Sequence, residues 1–340
     1  MIRLDYQPWG ETLAELRDAA RRAEDAGAAV VWAPELHRNA LITATAMAAA
    51  TNTIGVGTGV ALAFARSPML TALAALDLDE LSGGRFRLGL GSGVRRLIET
   101  WHGAGFDPPV ARLRDTVAAI RAIIARAHLG EPILHTGHTS VEVRGWRRPY
   151  APVRDSVPIY LAAVGPAMTA LAGEIADGWL SHELCPPPVL TETILPALRR
   201  GAARRPTESG RLPEIVVSAC CSVGSDAAAA RHAARGAVGF YAGVKTYAEL
   251  FAGAGFAAEH QAAVDALRAG RPADRLADCV PPKMAAAFTL SGTRDDVAEG
   301  LARYHGLADA VKLSPPVHGL APHETRAAQN AIIDLIRELA

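Results

Sequence analysis

Short apolar runs alternate with longer amphipathic stretches along most of the chain. The apolar runs predict eight strands, at residues 2–7, 29–33, 54–60, 85–91, 158–163, 178–181, 215–223 and 310–314. The amphipathic stretches predict helices, at residues 13–26, 40–51, 68–81, 112–128, 166–176 and 322–339. Strands that alternate with helices in this way are typical of a parallel sheet built from βα units.

Two features favour a barrel over an open, doubly wound sheet. The strand count is eight, and no GxGxxG-to-acid fingerprint follows the first strand. The glycines at 89–93 follow the fourth strand, where a tight βα turn explains them equally well. The fold class predicted is therefore α/β, a (β/α)8 TIM barrel.

The regular rhythm is interrupted twice. Residues 131–157 follow the fourth strand and its helix, and alternation at 138–146 predicts a small hairpin. Residues 225–306 are predicted to be mainly helical, with a break around Gly292. We expect one domain over residues 1–340, with insertions at about 131–157 and 236–287. A (β/α)8 barrel takes about 250 residues, so a chain of 340 leaves room for both.

Composition and charge exclude several functional classes. Half of the residues are hydrophobic, the formal net charge is zero and no long basic stripe occurs, so nucleic acid is not an expected partner. The apolar runs are short and the first residues lack the pattern of a signal peptide, so we expect no membrane span and a cytoplasmic location. Four cysteines occur without metal-site spacing; no metal is expected, and reduced thiols are the simplest interpretation.

In a barrel of this kind, functional residues come from the loops that follow the strands. After the second strand, Glu35 and His37 could bind a cofactor or move protons, or belong to a polar surface loop. The third strand ends in Gly57-Thr58-Gly59-Val60-Ala61, where glycines indicate either support for a flat ring system or packing at a bend. The fourth ends in Gly89-Leu90-Gly91-Ser92-Gly93, which leaves room for a planar ligand and offers the Ser92 hydroxyl.

The later strands add further candidates. Small residues, 162–165, lead into a helix that begins with Pro166, and free N–H groups at a helix start can bind a phosphate. His182, after the sixth strand, is a candidate for proton transfer or a loop histidine with satisfied hydrogen bonds. Between strands seven and eight, Tyr241 or Lys283 could donate a proton to a substrate, although helix packing explains each alone.

Three segments together resemble the luciferase-like monooxygenase superfamily, and more narrowly its branch of coenzyme F420-dependent oxidoreductases. They are residues 57–68, residues 81–93, and residues 158–166 continuing to Asp177-Gly178-Trp179. Their order and spacing both fit, and the similarity spans roughly residues 1–205 and returns at 288–316. Members of this superfamily are commonly dimers, so the resemblance implies a homodimer.

The resemblance also implies roles for individual residues. A non-prolyl cis peptide that backs the cofactor's middle ring maps to Gly59-Val60, and the phosphate site after strand five maps to Val164, Gly165 and Pro166. The polar residue after strand two maps to Glu35, and the one after strand four to Ser92. The predicted cofactor-binding residues, from both arguments, are Glu35, Thr58, Gly59, Val60, Ser92, Gly93, Ala163, Val164, Gly165 and Pro166.

At several positions this chain lacks residues that are found in the F420-dependent branch, and these differences narrow the expected chemistry. Members that oxidise sugar phosphates carry a Glu where this chain has Val94 and a His where it has Leu36, and a basic residue is replaced around Cys185. A sugar-phosphate dehydrogenase is therefore disfavoured. The proton-transfer candidates that remain are Glu35, His37, His182 and Tyr241.

The function predicted is an F420H2-dependent reductase that delivers hydride from the deazaflavin C5 to an activated C=C or C=N bond of a small molecule or a peptide, for instance a dehydroamino acid unit. An FMN-dependent monooxygenase on the same barrel is the first alternative. Basic residues for the anionic tail of F420 would distinguish the two, and Arg38, Arg66 and Arg95 could supply them. The second alternative is a cofactor-binding barrel without catalytic activity.

Overall fold

A computed structural model describes residues 2–207 and 209–340. The strands are β1 (Arg3–Tyr6), β2 (Val30–Ala33), β3 (Gly55–Thr58), β4 (Ala61–Leu62), β5 (Phe86–Gly91), β6 (Ile133–His135), β7 (Val141–Val143), β8 (Ile159–Ala162), β9 (Gly178–Leu180), β10 (Glu214–Val223), β11 (Leu290–Gly292) and β12 (Ala310–Ser314).

The α-helices alternate with the strands along the chain, and they include α7 and α8, which were not predicted from the sequence. They are α1 (Leu13–Asp25), α2 (Ala40–Ala48), α3 (Pro68–Leu81), α4 (Arg95–Trp101), α5 (Pro109–Arg126), α6 (Pro166–Ile175), α7 (Pro187–Val189), α8 (Leu195–Ala202), α9 (Ala227–Ala242), α10 (Ala248–Gly253), α11 (Ala257–Arg268), α12 (Pro282–Phe288), α13 (Arg294–Ala302) and α14 (Pro322–Leu339).

The fold is a closed, parallel (β/α)8 barrel, which confirms the predicted fold class. By contact density the chain divides into two compact units. The first comprises residues 1–29, 181–193 and 216–340, and the second residues 30–180 and 194–215.

In the second unit the strands follow the order β2-β3-β5-β8-β9, all parallel, and β4 continues the pairing along β5. Its core is built on Trp32, Phe86, Leu88 and Leu90, all fully buried. A hairpin of β6 and β7 lies outside the barrel strands, with Ile133 opposite Val143. The sequence predicts a hairpin at 138–146, which covers only the second of these strands; the first begins earlier, at residue 133.

In the first unit the order is β11-β10-β12-β1, again parallel. The strand β11 was not predicted, because its three residues lie inside a stretch that is mainly helical. The helices α9 to α12 bury a separate apolar cluster that includes Phe251, Met284 and Phe288. Phe251 is therefore a core residue. Gly27 follows the C-cap residue of helix α1, and its positive φ of 90° favours glycine.

Candidate functional site

The third strand leaves its ladder with β5 at Thr58, and the Thr58 side chain replaces the missing backbone partner. The Thr58 hydroxyl donates to the Gly89 carbonyl at 2.7 Å and accepts from the Gly89 amide at 2.9 Å. Pairing with β5 resumes through β4, where Ala61 lies opposite Leu90. The predicted cofactor residue Thr58 is thus fully buried and serves to join two strands.

The glycines of these strands allow the backbones to approach closely. A Cβ on Gly57 would lie 2.5 Å from the Trp32 ring, and one on Gly89 would lie 1.8 Å from the Thr58 carbonyl oxygen. A Cβ on Gly91 would lie 2.8 Å from the Val60 side chain. Packing at a bend, one of the two interpretations offered for the third strand, accounts for Gly57, and similar close packing excludes a side chain at Gly89 and Gly91. The Gly59-Val60 peptide is cis, as the resemblance implies.

Glu35 anchors the loop that contains β4. Its carboxylate accepts from the Leu62 amide at 2.7 Å and forms a two-pronged pair with the Arg66 guanidinium, one bond of which measures 2.7 Å. Burial raises the pKa of this carboxyl, but the bonds from Arg66 and Leu62 outweigh burial and hold the pKa below its usual value. A partly buried, ionised carboxylate with hydrogen bonds to both oxygens suits an anchor better than the proton transfer predicted for it.

Of the other residues after β2, His37 is exposed and so is Leu36, at 53%. After β5, the Ser92 hydroxyl donates to the Gly93 carbonyl at 3.2 Å. Gly93 has a positive φ of 71°, so this turn strongly favours glycine at that position.

Arg66 and Arg95, both considered for an anionic tail, are paired with carboxylates. Arg66 belongs to the Glu35 pair. Arg95 is bound to Asp107 and, at 3.0 Å, to Glu99. Their charge is therefore largely balanced within the protein, which weakens the prediction that they attract the tail of F420.

The loop after β8 opens onto the start of α6. Val164 and Gly165 are exposed, and Pro166 begins the helix with Gly165 as its N-cap residue. Within the described residues no side chain caps this helix, and a Cβ added to Gly165 would meet nothing within 4 Å. Ala163, by contrast, is buried, and its carbonyl accepts from the Trp179 indole at 3.0 Å. The first turn of α6 therefore presents backbone N–H groups to open space.

A second polar cluster lies in the first unit, where the loop 181–186 meets the end of β12. Ser314, the last residue of β12, donates to Glu183 Oε1 at 2.9 Å. Tyr241 donates to Glu183 Oε2 at 3.1 Å, and its ring stands edge-on to His182 with centroids 4.3 Å apart. The structure thus brings together two predicted residues, His182 and Tyr241, from distant parts of the sequence.

Three members of this cluster were not predicted to take part in chemistry: Glu183, Tyr247 and Lys312. Tyr247 Oη lies 2.9 Å from His182 Nε2. Lys312 is buried and donates to Gln7 Oε1 at 2.8 Å. Burial lowers the pKa of Lys312, although the charges of Glu183 and Asp5 raise it in part. A buried lysine inside a strand is a signal that the sequence does offer, whereas Lys283 proves to be exposed on α12.

Comparison with known proteins agrees with the fold and with the segments quoted above. A family model described as luciferase-like monooxygenase matches residues 2–310. The chain belongs to this family. Among the described residues there is no cluster of His, Cys, Asp and Glu suited to a metal ion, nor a helix long and apolar enough to cross a membrane.

Relatives of this luciferase-like protein include several oxidoreductases. It is 31% identical to a 5,10-methylenetetrahydromethanopterin reductase of Methanolobus tindarius, over 86% of this chain and 87% of the other. It is also 31% identical to a candidate coenzyme F420-dependent oxidoreductase of Mycobacterium tuberculosis, over 70% and 72% of the two chains. The structure of the coenzyme F420-dependent tetrahydromethanopterin reductase from Methanopyrus kandleri superposes with a TM-score of 0.75 at 21% identity, covering 99% and 97% of the two chains. The predicted family is thereby confirmed.

Proposed function

We propose that this luciferase-like protein is an F420H2-dependent reductase of an activated C=C or C=N bond in an organic substrate. The observation that carries the proposal is the open first turn of α6, which follows β8 directly and has free space at Gly165. A helix start of this kind can accept the phosphodiester of the cofactor through its backbone N–H groups. The relatives whose names specify F420 or a reductase support the same assignment.

The residues present fit a flat, anionic cofactor. Small residues line the end of β8, at 162–165, and a Cβ added to Gly165 would meet nothing within 4 Å, so this end has room for a ligand. The Glu35–Arg66 pair fixes the bulge between β3 and β4, since it binds the Leu62 amide as well. Ser92 and the α6 turn, with Val164, Gly165 and Pro166, would hold the cofactor's polar groups.

Bound in its reduced form, the deazaflavin supplies a hydride from its C5. The protein's task is to orient the two reactants and to exclude water. A second group must supply a proton when the acceptor is a C=C bond. The exposed Val94, 69% accessible, and Leu36 cannot do so, because neither carries an exchangeable proton.

FMN is the alternative cofactor, and one observation favours it. Arg66 and Arg95, two of the three cations that would attract the long anionic tail of F420, are bound to carboxylates. FMN carries a single phosphate and no such tail, so it needs fewer cations.

Titration decides between the cofactors. The purified protein is mixed with F420 and, separately, with FMN, and quenching of cofactor fluorescence is followed. We expect F420 to bind more tightly; tight binding of FMN without binding of F420 would overturn the assignment. Stopped-flow oxidation of F420H2 by a panel of electron-poor alkenes and iminium ions then tests the reaction. Tight F420 binding with no turnover of any acceptor would identify a cofactor-binding barrel without catalytic activity.

A further inference from the structure

The cluster around His182 lies at the chemically active end of its strands. Ser314 ends β12, and Cys220 of the parallel strand β10 lies opposite Ser314. The bond from Ser314 to Glu183 therefore places the loop 181–186 at the carboxyl ends of these strands. In (β/α)8 enzymes the reacting groups come from this face.

The hydrogen bonds of His182 determine where its proton resides. The Leu184 amide donates to His182 Nδ1 at 3.1 Å, so Nδ1 carries a lone pair. Burial lowers the pKa of His182 to about 4, with the charge of Lys312 adding to this effect and that of Glu183 opposing it. The ring is therefore neutral near pH 7, and its one N–H hydrogen is on Nε2.

This tautomer frees the hydroxyl hydrogen of Tyr247. Because Nε2–H is the donor in the 2.9 Å contact with Tyr247 Oη, the tyrosine oxygen accepts and its own hydrogen points elsewhere. No acceptor for it occurs among residues 2–207 and 209–340. The neighbouring Tyr241 differs, since its hydroxyl is already committed to Glu183. Of the two tyrosines, only Tyr247 has an O–H group available to a substrate.

We propose that Tyr247 is the proton donor of the reduction, and that His182 positions its hydroxyl. The inference rests on the proposed function. After hydride addition to the β-carbon of an α,β-unsaturated carbonyl compound, the Tyr247 O–H bond breaks and a C–H bond forms at the α-carbon. The two electrons come from the reduced cofactor, and the tyrosinate, which accepts a hydrogen bond from His182 Nε2–H, regains a proton from water.

The surroundings keep the donor protonated until it is needed. Burial raises the pKa of Tyr247, and the negative charge of Glu183 raises it further. The hydroxyl is therefore intact near pH 7. An enolate formed beside it is a strong enough base to take the proton, whereas a ground-state carbonyl is not.

Two hydride acceptors, of which only one also needs a proton, test the proposal. 2-Cyclohexen-1-one requires a hydride and a proton, whereas an N-methyl-3,4-dihydroisoquinolinium ion requires a hydride alone. In Tyr247→Phe loaded with F420H2, we expect the ratio of enone to iminium reduction rates to fall about 100-fold, the scale of general-acid catalysis. Tyr150→Phe, which changes an exposed tyrosine in the other unit, is the matched control and should keep the wild-type ratio.

The possible results distinguish failure of the proposed function from failure of the proton-donor role of Tyr247. If the wild-type protein binds F420H2 but reduces neither these probes nor any other acceptor of the panel, the proposed function fails and proton donation fails with it. If both probes are reduced and the ratio is unchanged in Tyr247→Phe, only the donor role is overturned. A selective loss in Tyr241→Phe in place of Tyr247→Phe would also overturn it.

A second measurement needs no cofactor. Nitrogen-15 NMR of histidine-labelled protein, with the His182 signals assigned by their loss in His182→Gln, reports the tautomer directly. We expect a neutral ring with the hydrogen on Nε2 at pH 7. A ring with its hydrogen on Nδ1 would make Tyr247 the donor to His182, which would leave no free hydroxyl hydrogen and overturn the proposal.

Discussion

The double hydrogen bond of Thr58 allows a sharp test of how the barrel tolerates its bulge. Thr58→Val keeps the shape of the side chain but removes the hydroxyl that both donates to and accepts from Gly89. Since Thr58 is fully buried, water cannot replace the lost bonds. Two backbone groups are left without partners at about 1–3 kcal/mol each, so we expect a loss of about 2–6 kcal/mol in the free energy of unfolding.

Urea unfolding followed by tryptophan fluorescence measures this loss, because Trp32 is buried in the same unit. Thr58→Ser keeps the hydroxyl and should lose only about 1 kcal/mol for its missing methyl group. Thr43→Val is the matched control, since the Thr43 hydroxyl is buried and has no hydrogen-bond partner in the part of the chain that the structure describes. It should be neutral or stabilising. If Thr58→Val were as stable as Thr43→Val, the Thr58 hydroxyl could not be the group that replaces the missing backbone partner of Gly89.

Two further predictions concern the α6 turn and the buried histidine. Gly165 has a φ of −74° and open space around it, so Gly165→Ala should leave the unfolding midpoint unchanged. The added methyl group would lie on the proposed phosphate site, and we expect it to weaken F420 binding about tenfold, or about 1.4 kcal/mol, in a fluorescence titration. Equal affinity of the variant and the wild type would place the phosphate elsewhere. His182 takes up a proton at about pH 4 in the folded protein and near its ordinary pKa of 6.5 when unfolded. The unfolded state therefore binds more protons between these values, and stability should fall as the pH drops from 6.5 towards 4, by up to about 3 kcal/mol. Urea midpoints at several pH values should show this slope in the wild type and lose it in His182→Gln; an equal slope in both would assign it to other groups.

The fold could be predicted well because each βα repeat carries its own periodicity and its own residues that start or end a helix. Helix α3, bounded by Pro68 at its start and by Gly83-Gly84 after its end, was predicted to the residue, as was β12. The short strand β11 was missed, since three residues within a helical stretch are too few to show a period. The hairpin of β6 and β7 was placed late, because its first strand has little alternation.

The candidate site was predictable only in part, because its hydrogen bonds join side chains that meet only in the tertiary structure. His182 and Tyr241 are candidates by residue type and position, and they do meet. What the sequence could not show is the direction of each hydrogen bond. Tyr241 is committed to Glu183, while the Leu184 amide fixes the tautomer that frees Tyr247. Glu35 illustrates the same limit, since its partner Arg66 is thirty-one positions away and turns a candidate base into an anchor.

The close backbone contacts between β3 and β5 have a consequence for engineering this protein. Positions 57, 89 and 91 have no room for any side chain, so a saturation library there would consist almost entirely of unfolded variants. The helices between β10 and β12 are different, because partly buried Tyr241 and Tyr247 pack on an apolar cluster that larger or smaller side chains can refill. Sequence variation, by evolution or by design, is therefore expected to accumulate in the segment 227–288 while the glycines of β3 and β5 stay fixed.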